Sequence, residues 1–249
     1  MTGIESTLAN LVVMAGFADA LGQFLRPENL AAVLVDGLAK AGLYVMIASG
    51  LTLIFGLMGV LNFAHGSMTM IGAYLGGLIM IGLVGGSTGF GANLLFFFVA
   101  LAATFALLAG LGGVVEVGLI RRLYDRPPVY QILLTFGVTL ILDELVRIVV
   151  LFYGMQPTSD WQAALGTKPA ALAESVDLGI VSVSGLSLFE IAFGTATVAG
   201  LWAFLTKTRY GMIIRAGSED AEMTEALGID VRRVFTVVFA LGAGVAGAA

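Results

Sequence analysis

The chain has 249 residues, of which 59% are hydrophobic and 12% are charged, and its formal net charge is −5. Soluble domains carry about a quarter charged residues, so this composition excludes a soluble protein and indicates an integral membrane protein. Because cysteine is absent, disulfides, thiolate catalysis and zinc–thiolate sites are excluded, and no nucleic-acid partner is expected from an acidic chain of this kind.

The N-terminal part of the chain, residues 1–33, is predicted to be an extension that precedes the main membrane domain. It contains an apolar stretch at residues 8–25, which Asp19 interrupts and Arg26 follows. The stretch is long enough for a short membrane span and suits equally a helix that lies in the membrane interface. The sequence leaves both alternatives open.

Residues 34–249 are predicted to form a helical transmembrane domain. A helix needs about 20 apolar residues to cross a hydrocarbon core of about 30 Å, and six segments approach that length. These segments are residues 41–61, 67–84, 92–115, 129–153 and 186–206, and one that begins at residue 234. The predicted fold is therefore an all-α polytopic transmembrane bundle with about six to seven spans, and further spans are expected beyond residue 249.

Basic residues predict the orientation of this bundle. Arg121, Arg122 and Arg126 lie between the third and fourth segments, and residues 207–233 include five further lysines or arginines. Loops near helix ends that are rich in Lys and Arg stay in the cytoplasm. Both loops are therefore predicted to be cytoplasmic.

Residues 59–66 separate two apolar segments that contain no charged side chain, and they include no basic residue. We predict a helix break at membrane depth, which is tolerated where the backbone is packed in protein or lines a wet cavity. Asn62, His65 and Gly66 are then candidates for the solute path. The alternative for His65 is a neutral hydrogen-bonding strut between helices. A metal site is not predicted, because the chain has one histidine and no cysteine.

Three charged residues fall within the fourth segment. Asp143 and Arg147 are four positions apart, so they are predicted to share one helix face and to form an intramembrane ion pair, while Glu144 is predicted to point elsewhere. Buried charge is costly unless it is paired, which favours a structural role for this pair. The alternative is a relay for protons or solute.

The loop of residues 207–233 is predicted to contain one short helix. Ser218 can cap its start, Glu219 and Asp220 suit its first turn, and Gly228 can end it after about ten residues.

This short helix is predicted to have one small apolar face, formed by Met223, Ala226 and Leu227, which lie three and four positions apart. Such a face suits docking in a groove of another protein. The alternative is a solvated helix that rests on the membrane.

Several stretches carry a resemblance to a known family. They are GLMGVLNFAHGSMTMIGAY at residues 56–74, RYGMIIRA at 209–216 followed by residues 219–220 and LGIDV at 227–231, LTFG at 134–137, and DELVR at 143–147. Together they resemble the membrane permeases of branched-chain amino-acid ABC importers, which also include permeases for urea and short amides. The resemblance covers about residues 31–249, and the portion before it is longer than the family pattern.

The resemblance implies an inner-membrane permease that works with a second related permease subunit, two cytoplasmic ATPase subunits and an extracytoplasmic substrate-binding protein. The chain is not expected to be an enzyme or to bind a cofactor, since it has no GxxxxGK[ST] phosphate loop, and ATP and Mg²⁺ would act in the partner subunits. In the loop that is similar to the family's ATPase contact, the candidate coupling residues are Arg215, Glu219, Asp220, Met223, Leu227, Gly228 and Asp230. The alternative function is a secondary transporter or channel in which His65, Asp143 and Arg147 work without an ATPase.

Overall fold

The computed structural model describes residues 14, 16–17, 19–84, 90–154 and 170–249. The helices in this part of the chain are α1 (Pro27–Met58), α2 (His65–Val84), α3 (Phe90–Gly118), a 3₁₀ turn (Ile120–Leu123), α4 (Pro128–Phe152), α5 (Ala170–Ala173), α6 (Gly185–Lys207), α7 (Arg209–Glu219), α8 (Ala221–Ala226) and α9 (Val231–Gly247). Two short strands, β1 (Ser175–Asp177) and β2 (Ser182–Ser184), form an antiparallel hairpin, with Val176 opposite Val183. The prediction of an all-α bundle is confirmed, and the hairpin is a small addition to it.

Helix α1 begins much earlier than the predicted start at residue 41. Pro27 stands at its first position, where the fixed φ of proline suits a helix and its missing N–H is no loss. The predicted segment started directly after Lys40, but Asp36 and Lys40 lie on exposed faces of the helix and do not interrupt it. Gly59 ends α1 with a φ of 67°, a left-handed conformation that glycine adopts without strain.

The predicted N-terminal extension is only partly described. Residues 1–13, 15 and 18 lie outside the described residues, so most of the apolar stretch 8–25 is not placed. Residues 19–24 are helical, and the chain turns at residues 25–26 before α1 starts. Helix α1 runs without a break across residue 33.

The other long helices agree with the predicted segments. The ends of α2, α3, α4 and α6 fall within three residues of the predicted ends. Within the described residues, four helices are long and apolar enough to cross a membrane by length and composition: Pro27–Met58, His65–Leu83, Gly91–Leu123 and Gly185–Lys207. Helix α4 has 25 residues but carries charged side chains, and α9 has 17 residues.

The segment between α1 and α2, residues 59–64, turns back into the bundle. Nε2 of His65, the first residue of α2, lies 3.0 Å from the carbonyl oxygen of Ile47. Ile47 is about 17 Å before the end of α1, at 1.5 Å per residue. Within this segment, the carbonyl oxygen of Leu61 accepts a hydrogen bond from the hydroxyl of Thr135 in α4 at 3.1 Å. The predicted helix break is therefore present, and α2 starts beside the inner part of α1.

Helix α9 is the central helix of the bundle and packs against α1, α2 and α3. Gly242 faces Gly50 where α9 crosses α1, and Gly247 faces Gly72 where it crosses α2. A side chain on any of these four glycines would collide with neighbouring atoms. Small residues allow helix backbones to approach this closely, which stabilises bundles in membranes. Phe239 of α9 is fully buried in the resulting core.

One end of the bundle, called the basic end below, contains residues 119–127 and 207–233. The first loop meets the start of α9, where Arg121 contacts Thr236 and the ring of Tyr124 lies 5.6 Å from that of Phe235. The two loops that were predicted to be cytoplasmic thus lie at the same end. The hairpin precedes α6 and lies at the opposite end.

Candidate functional site

Asn62 and His65 lie inside the bundle where α2 begins, and they are 3% and 4% exposed. Oδ1 of Asn62 accepts a hydrogen bond from the N–H of Ala64 at 3.1 Å, which shapes the turn into α2. Since a carbonyl oxygen can only accept, Nε2 of His65 donates to the carbonyl of Ile47. This bond ties α2 to α1, which is the arrangement that the strut interpretation of His65 predicts.

Two polar atoms at this turn have no hydrogen-bond partner within the described residues: Nδ2 of Asn62 and Nδ1 of His65. The first is a donor, and the second is an acceptor in the neutral tautomer that donates through Nε2. Buried polar groups are rarely left unpaired, so each of these atoms is suited to bind water or a polar group of a solute. Gly66, the third candidate for the solute path, is exposed, with open space beside it. Participation of these residues in a solute path stays a prediction.

The ion pair that was predicted between Asp143 and Arg147 is not present. Arg147 instead binds Glu144, with Nη2 2.6 Å from Oε1 and Nε 2.9 Å from Oε2. Residues three positions apart and residues four positions apart both share a helix face. The contact that forms is the bidentate one with Glu144. The prediction that Glu144 points elsewhere is therefore wrong. All three side chains lie on exposed faces of α4.

The loop of residues 207–233 holds two short helices where one was predicted. Thr208 caps α7, and Asp220 caps α8 through a hydrogen bond from the N–H of Met223 at 2.8 Å. Ser218 lies in the last turn of α7. The prediction that Ser218 caps a helix of about ten residues is wrong, because α7 continues through Ser218 to Glu219 and the next helix starts only after Asp220, which is an equally suitable cap.

The remaining coupling candidates are placed as follows. Gly228 follows the end of α8 with a φ of 84°, as predicted for a residue that stops a helix. Glu219 is the last residue of α7 and does not lie in the first turn of α8. Asp230 caps α9 and also pairs with Arg233 at 2.8 Å.

Helix α8 presents apolar side chains on the surface of the basic end. Thr224 is buried against the bundle, whereas Met223 is 62% exposed and Leu227 is 75% exposed. Ala226 and, on α7, Arg215 are exposed as well. Exposed apolar side chains grouped on a charged loop are typical of a surface that another protein covers.

A cleft of about 650 Å³ lies between α8 and the rest of the basic end. Charged side chains line it from three elements, namely Asp125, Glu222, Glu225 and Arg232. Its walls also include the end of α1, so a displacement of α8 would change its shape. Within the described part of the chain, no group of three acidic or histidine side chains is placed to hold a metal ion.

A buried ion pair beside this cleft was missed by the sequence reasoning. The side chain of Glu116, near the end of α3, is fully buried. Its Oε1 accepts from Nε of Arg121 at 3.1 Å, and its Oε2 accepts from Nη2 of the same residue at 3.0 Å. The hydroxyl of Tyr124 donates to Oε1 at 2.6 Å. A carboxylate is costly to bury unless such donors satisfy it, so these two residues permit Glu116 to lie inside the bundle.

The sequence held one signal for this pair: Glu116 is the first acidic or basic residue after Lys40. A separation of five residues is not a helix-face spacing. The pair forms because the chain leaves the α-helix at Gly118 and winds through the 3₁₀ turn, which brings Arg121 back. Burial, and next the hydrogen bond to Glu116, raises the pKa of Tyr124, so its phenol stays protonated and donates.

The sequence matches known proteins over most of its length. A family model described as branched-chain amino acid transport system / permease component matches residues 33–249. The chain is 29% identical to the high-affinity branched-chain amino acid transport system permease protein BraD of Pseudomonas aeruginosa over 219 residues, which are 87% of this chain and 68% of that protein. It is 24% identical to the corresponding protein LivH of Escherichia coli K12 over 214 residues, which are 86% of this chain and 67% of LivH.

A probable LivH of Methanocaldococcus jannaschii is 25% identical over 217 residues, which are 87% of this chain and 64% of that protein. No solved structure matches the chain. The family model covers most of the chain, including the break before α2, the buried ion pair and the loop with α7 and α8. The chain therefore belongs to the family of branched-chain amino acid transport permeases.

Proposed function

We propose that this chain is one permease subunit of an ATP-driven importer, and that its solute is a branched-chain amino acid or a related small polar molecule such as urea or a short amide. Membership of the family supports a transport function. The names of BraD and LivH support the branched-chain amino acid class for those relatives, and we extend it to this chain. ATP and Mg²⁺ act in partner subunits.

The proposed assembly contains a second related permease subunit, two cytoplasmic ATPase subunits and an extracytoplasmic substrate-binding protein, in the inner membrane. The basic end faces the cytoplasm in this assembly, because loops rich in Lys and Arg stay there. The substrate-binding protein acts at the opposite end, where the hairpin lies.

The observation that carries the proposal is the exposed apolar surface of α8 and its short connection to the core. Met223 and Leu227 face away from the bundle. Only residues 227–230 separate α8 from α9, the central helix. An ATPase that binds Met223 and Leu227 would therefore transmit its closure to the core, and the bundle would alternate between outward-open and inward-open states.

The proposal is tested by replacing Leu227 with aspartate in the complete importer. A charge at the centre of an apolar contact opposes docking, so Leu227→Asp is expected to reduce both co-purification of the ATPase and ATP-dependent uptake by about tenfold or more. Leu178→Asp is the matched control, because Leu178 is an exposed leucine in the hairpin at the opposite end. It should leave ATPase co-purification unchanged. Wild-type uptake and wild-type co-purification in Leu227→Asp would contradict the proposed docking surface.

A role for His65 in the solute path is tested separately. His65→Ala removes the bond to Ile47 and one of the two unpartnered buried atoms. If His65 belongs to the path, uptake falls more than the amount of assembled complex, measured on the same membranes. An equal loss of both would leave His65 with the strut role alone.

The alternative function, a secondary transporter or channel, has less support from the geometry. Arg147 binds Glu144, and His65 binds the backbone of α1, so the hydrogen bonds do not link His65, Asp143 and Arg147 into a relay. Uptake that persists without the ATPase subunits, or that stops when the proton gradient is collapsed, would favour this alternative.

A further inference from the structure

The guanidinium of Arg121 joins two helices that lie far apart in the sequence. On one side it holds Glu116 of α3 through Nε and Nη2. On the other side the same Nη2 contacts the hydroxyl of Thr236 and lies 3.5 Å from the carbonyl oxygen of Arg232, both in α9. One flat donor group therefore bridges the end of α3 and the first turns of α9.

The side of α9 that faces Arg121 is suited to this contact. The hydroxyl of Thr236 donates to the carbonyl oxygen of Arg232 at 3.0 Å, so its lone pairs are left to accept from Arg121. A second contact lies next to it, where the rings of Tyr124 and Phe235 meet edge to face at 5.6 Å. The two side chains that bind Glu116 thus both contact α9.

The first turn of α9 lies at the end of the loop of residues 207–233, which contains α7 and α8. Asp230 caps it directly after the residues that follow α8. Val231 is buried there, and its side chain lies against Gly217 of α7. A displacement of α7 and α8 therefore reaches the first turn of α9, and Arg121 contacts Arg232 and Thr236 in the same part of that helix.

The buried carboxylate fixes Arg121 to α3. The side chain of Glu116 is fully buried, and among the described residues its ion-pair partner is Arg121. If the guanidinium moved away, it would leave an unpaired buried charge, which is strongly unfavourable. Arg121 therefore stays with α3 while its Nη2 also contacts Thr236 of α9.

We propose that Arg121 is a positioning residue of the transport cycle, which makes α3 follow α9 when α8 is displaced. This inference rests on the proposed function, because it requires an ATP-driven displacement of α8. Without the contact between Arg121 and Thr236, the ATPases still hydrolyse ATP and α3 still packs against α9, but the end of α3 that carries Glu116 follows the first turns of α9 less completely. The amount of solute imported per ATP hydrolysed then falls.

The test measures this ratio in the complete importer, reconstituted in proteoliposomes with its ATPases, its partner permease and its substrate-binding protein. Thr236→Val removes the hydroxyl while keeping the shape of the side chain and the pair of Glu116 with Arg121. The ratio is expected to fall by about fivefold, a size typical of residues in a coupling network, with an ATPase rate close to wild type. Arg121→Lys keeps the charge but cannot bridge the carboxylate and Thr236 together, so its ratio should fall in the same way.

Thr206→Val is the matched control. Thr206 also donates to a carbonyl of its own helix, that of Trp202, and it makes no hydrogen bond to another helix within the described residues. It should keep the wild-type ratio. The inference is overturned if Thr236→Val and Arg121→Lys keep the wild-type ratio, or if Thr206→Val lowers it equally. A wild-type importer that moves solute without ATP hydrolysis would overturn the proposed function itself, and this measurement on the wild type separates the two failures.

Discussion

The pair of Glu116 with Arg121 and the pair of Glu144 with Arg147 contain the same chemical groups in different surroundings. In the first pair the Glu116 side chain is fully buried and the Arg121 side chain is 27% exposed, whereas in the second the two side chains are 49% and 66% exposed. The first pair connects α3 with α9, and the second stays within one turn of α4. The hydrogen-bond distances of the two pairs are similar. Their contributions to stability differ because only the first pair is buried and joins two helices.

The largest effect is expected from Arg121→Met. This change leaves the carboxylate of Glu116 buried without a cation, so the free energy of unfolding should fall by about 3 kcal/mol. Equilibrium unfolding in mixed micelles would measure it. Arg122→Met is the control, since the neighbouring Arg122 is exposed, and it should behave as wild type. A similar loss of unfolding free energy in both variants would mean that removal of a positive charge, and not of the ion pair, causes the destabilisation.

A smaller effect is expected from Glu116→Gln. The amide oxygen still accepts from Tyr124 or Arg121, while the charge is lost and one oxygen is replaced by a donor. The free energy of unfolding should fall by about 1.5 kcal/mol, as for a lost hydrogen bond to a charged group. A loss as large as that of Arg121→Met would contradict the view that an unpaired buried charge is the main cost.

Tyr124→Phe removes a single hydrogen bond from the buried pair and keeps the ring contact with Phe235. The expected loss is about 1 kcal/mol, measured by the same unfolding experiment. The double variant with Glu116→Gln would show whether the two losses are coupled, as neighbours in one network should be. Simple additivity of the two losses would indicate that Tyr124 acts independently of Glu116.

The smallest effect is expected from Arg147→Met in the isolated chain. Both side chains lie on one turn of α4 and are not covered by the rest of the described chain, so their loss removes no contact between helices. No change in the unfolding transition of the purified chain should be measurable. A clear destabilisation would contradict the contrast between the two pairs. A loss that is seen only in the complete importer would show that another subunit covers this face of α4.

The sequence predicted the position of most helices because long charge-free segments leave few alternatives in a membrane protein. It also predicted the break before α2, because Asn62 and His65 stand in a connection without basic residues. The start of α1 was missed for a related reason. The predicted segment started directly after Lys40, whereas a long helix tolerates Asp36 and Lys40 on its exposed faces.

The charged side chains were less predictable than the helices. Spacing places both Asp143 and Glu144 within reach of Arg147, and it does not decide between them. Spacing also gives no reason to pair Glu116 with Arg121, because their contact depends on where α3 ends. The end of α8 before Gly228 was predictable, because glycine commonly follows the last residue of a helix. Whether Ser218 or Asp220 caps the start of α8 depended on where α7 ends, which the sequence did not show.

The central place of α9 has a consequence for how the protein is made. Gly50, Gly72 and Gly112 belong to α1, α2 and α3, and each of them packs against α9. During synthesis these three helices leave the ribosome long before α9. The faces of α1, α2 and α3 that will contact α9 are therefore in the bilayer before α9 is present. Assembly of the core is thus delayed until residues 231–247 have been inserted, and substitutions in α9 would be expected to act on the yield of folded protein as well as on transport.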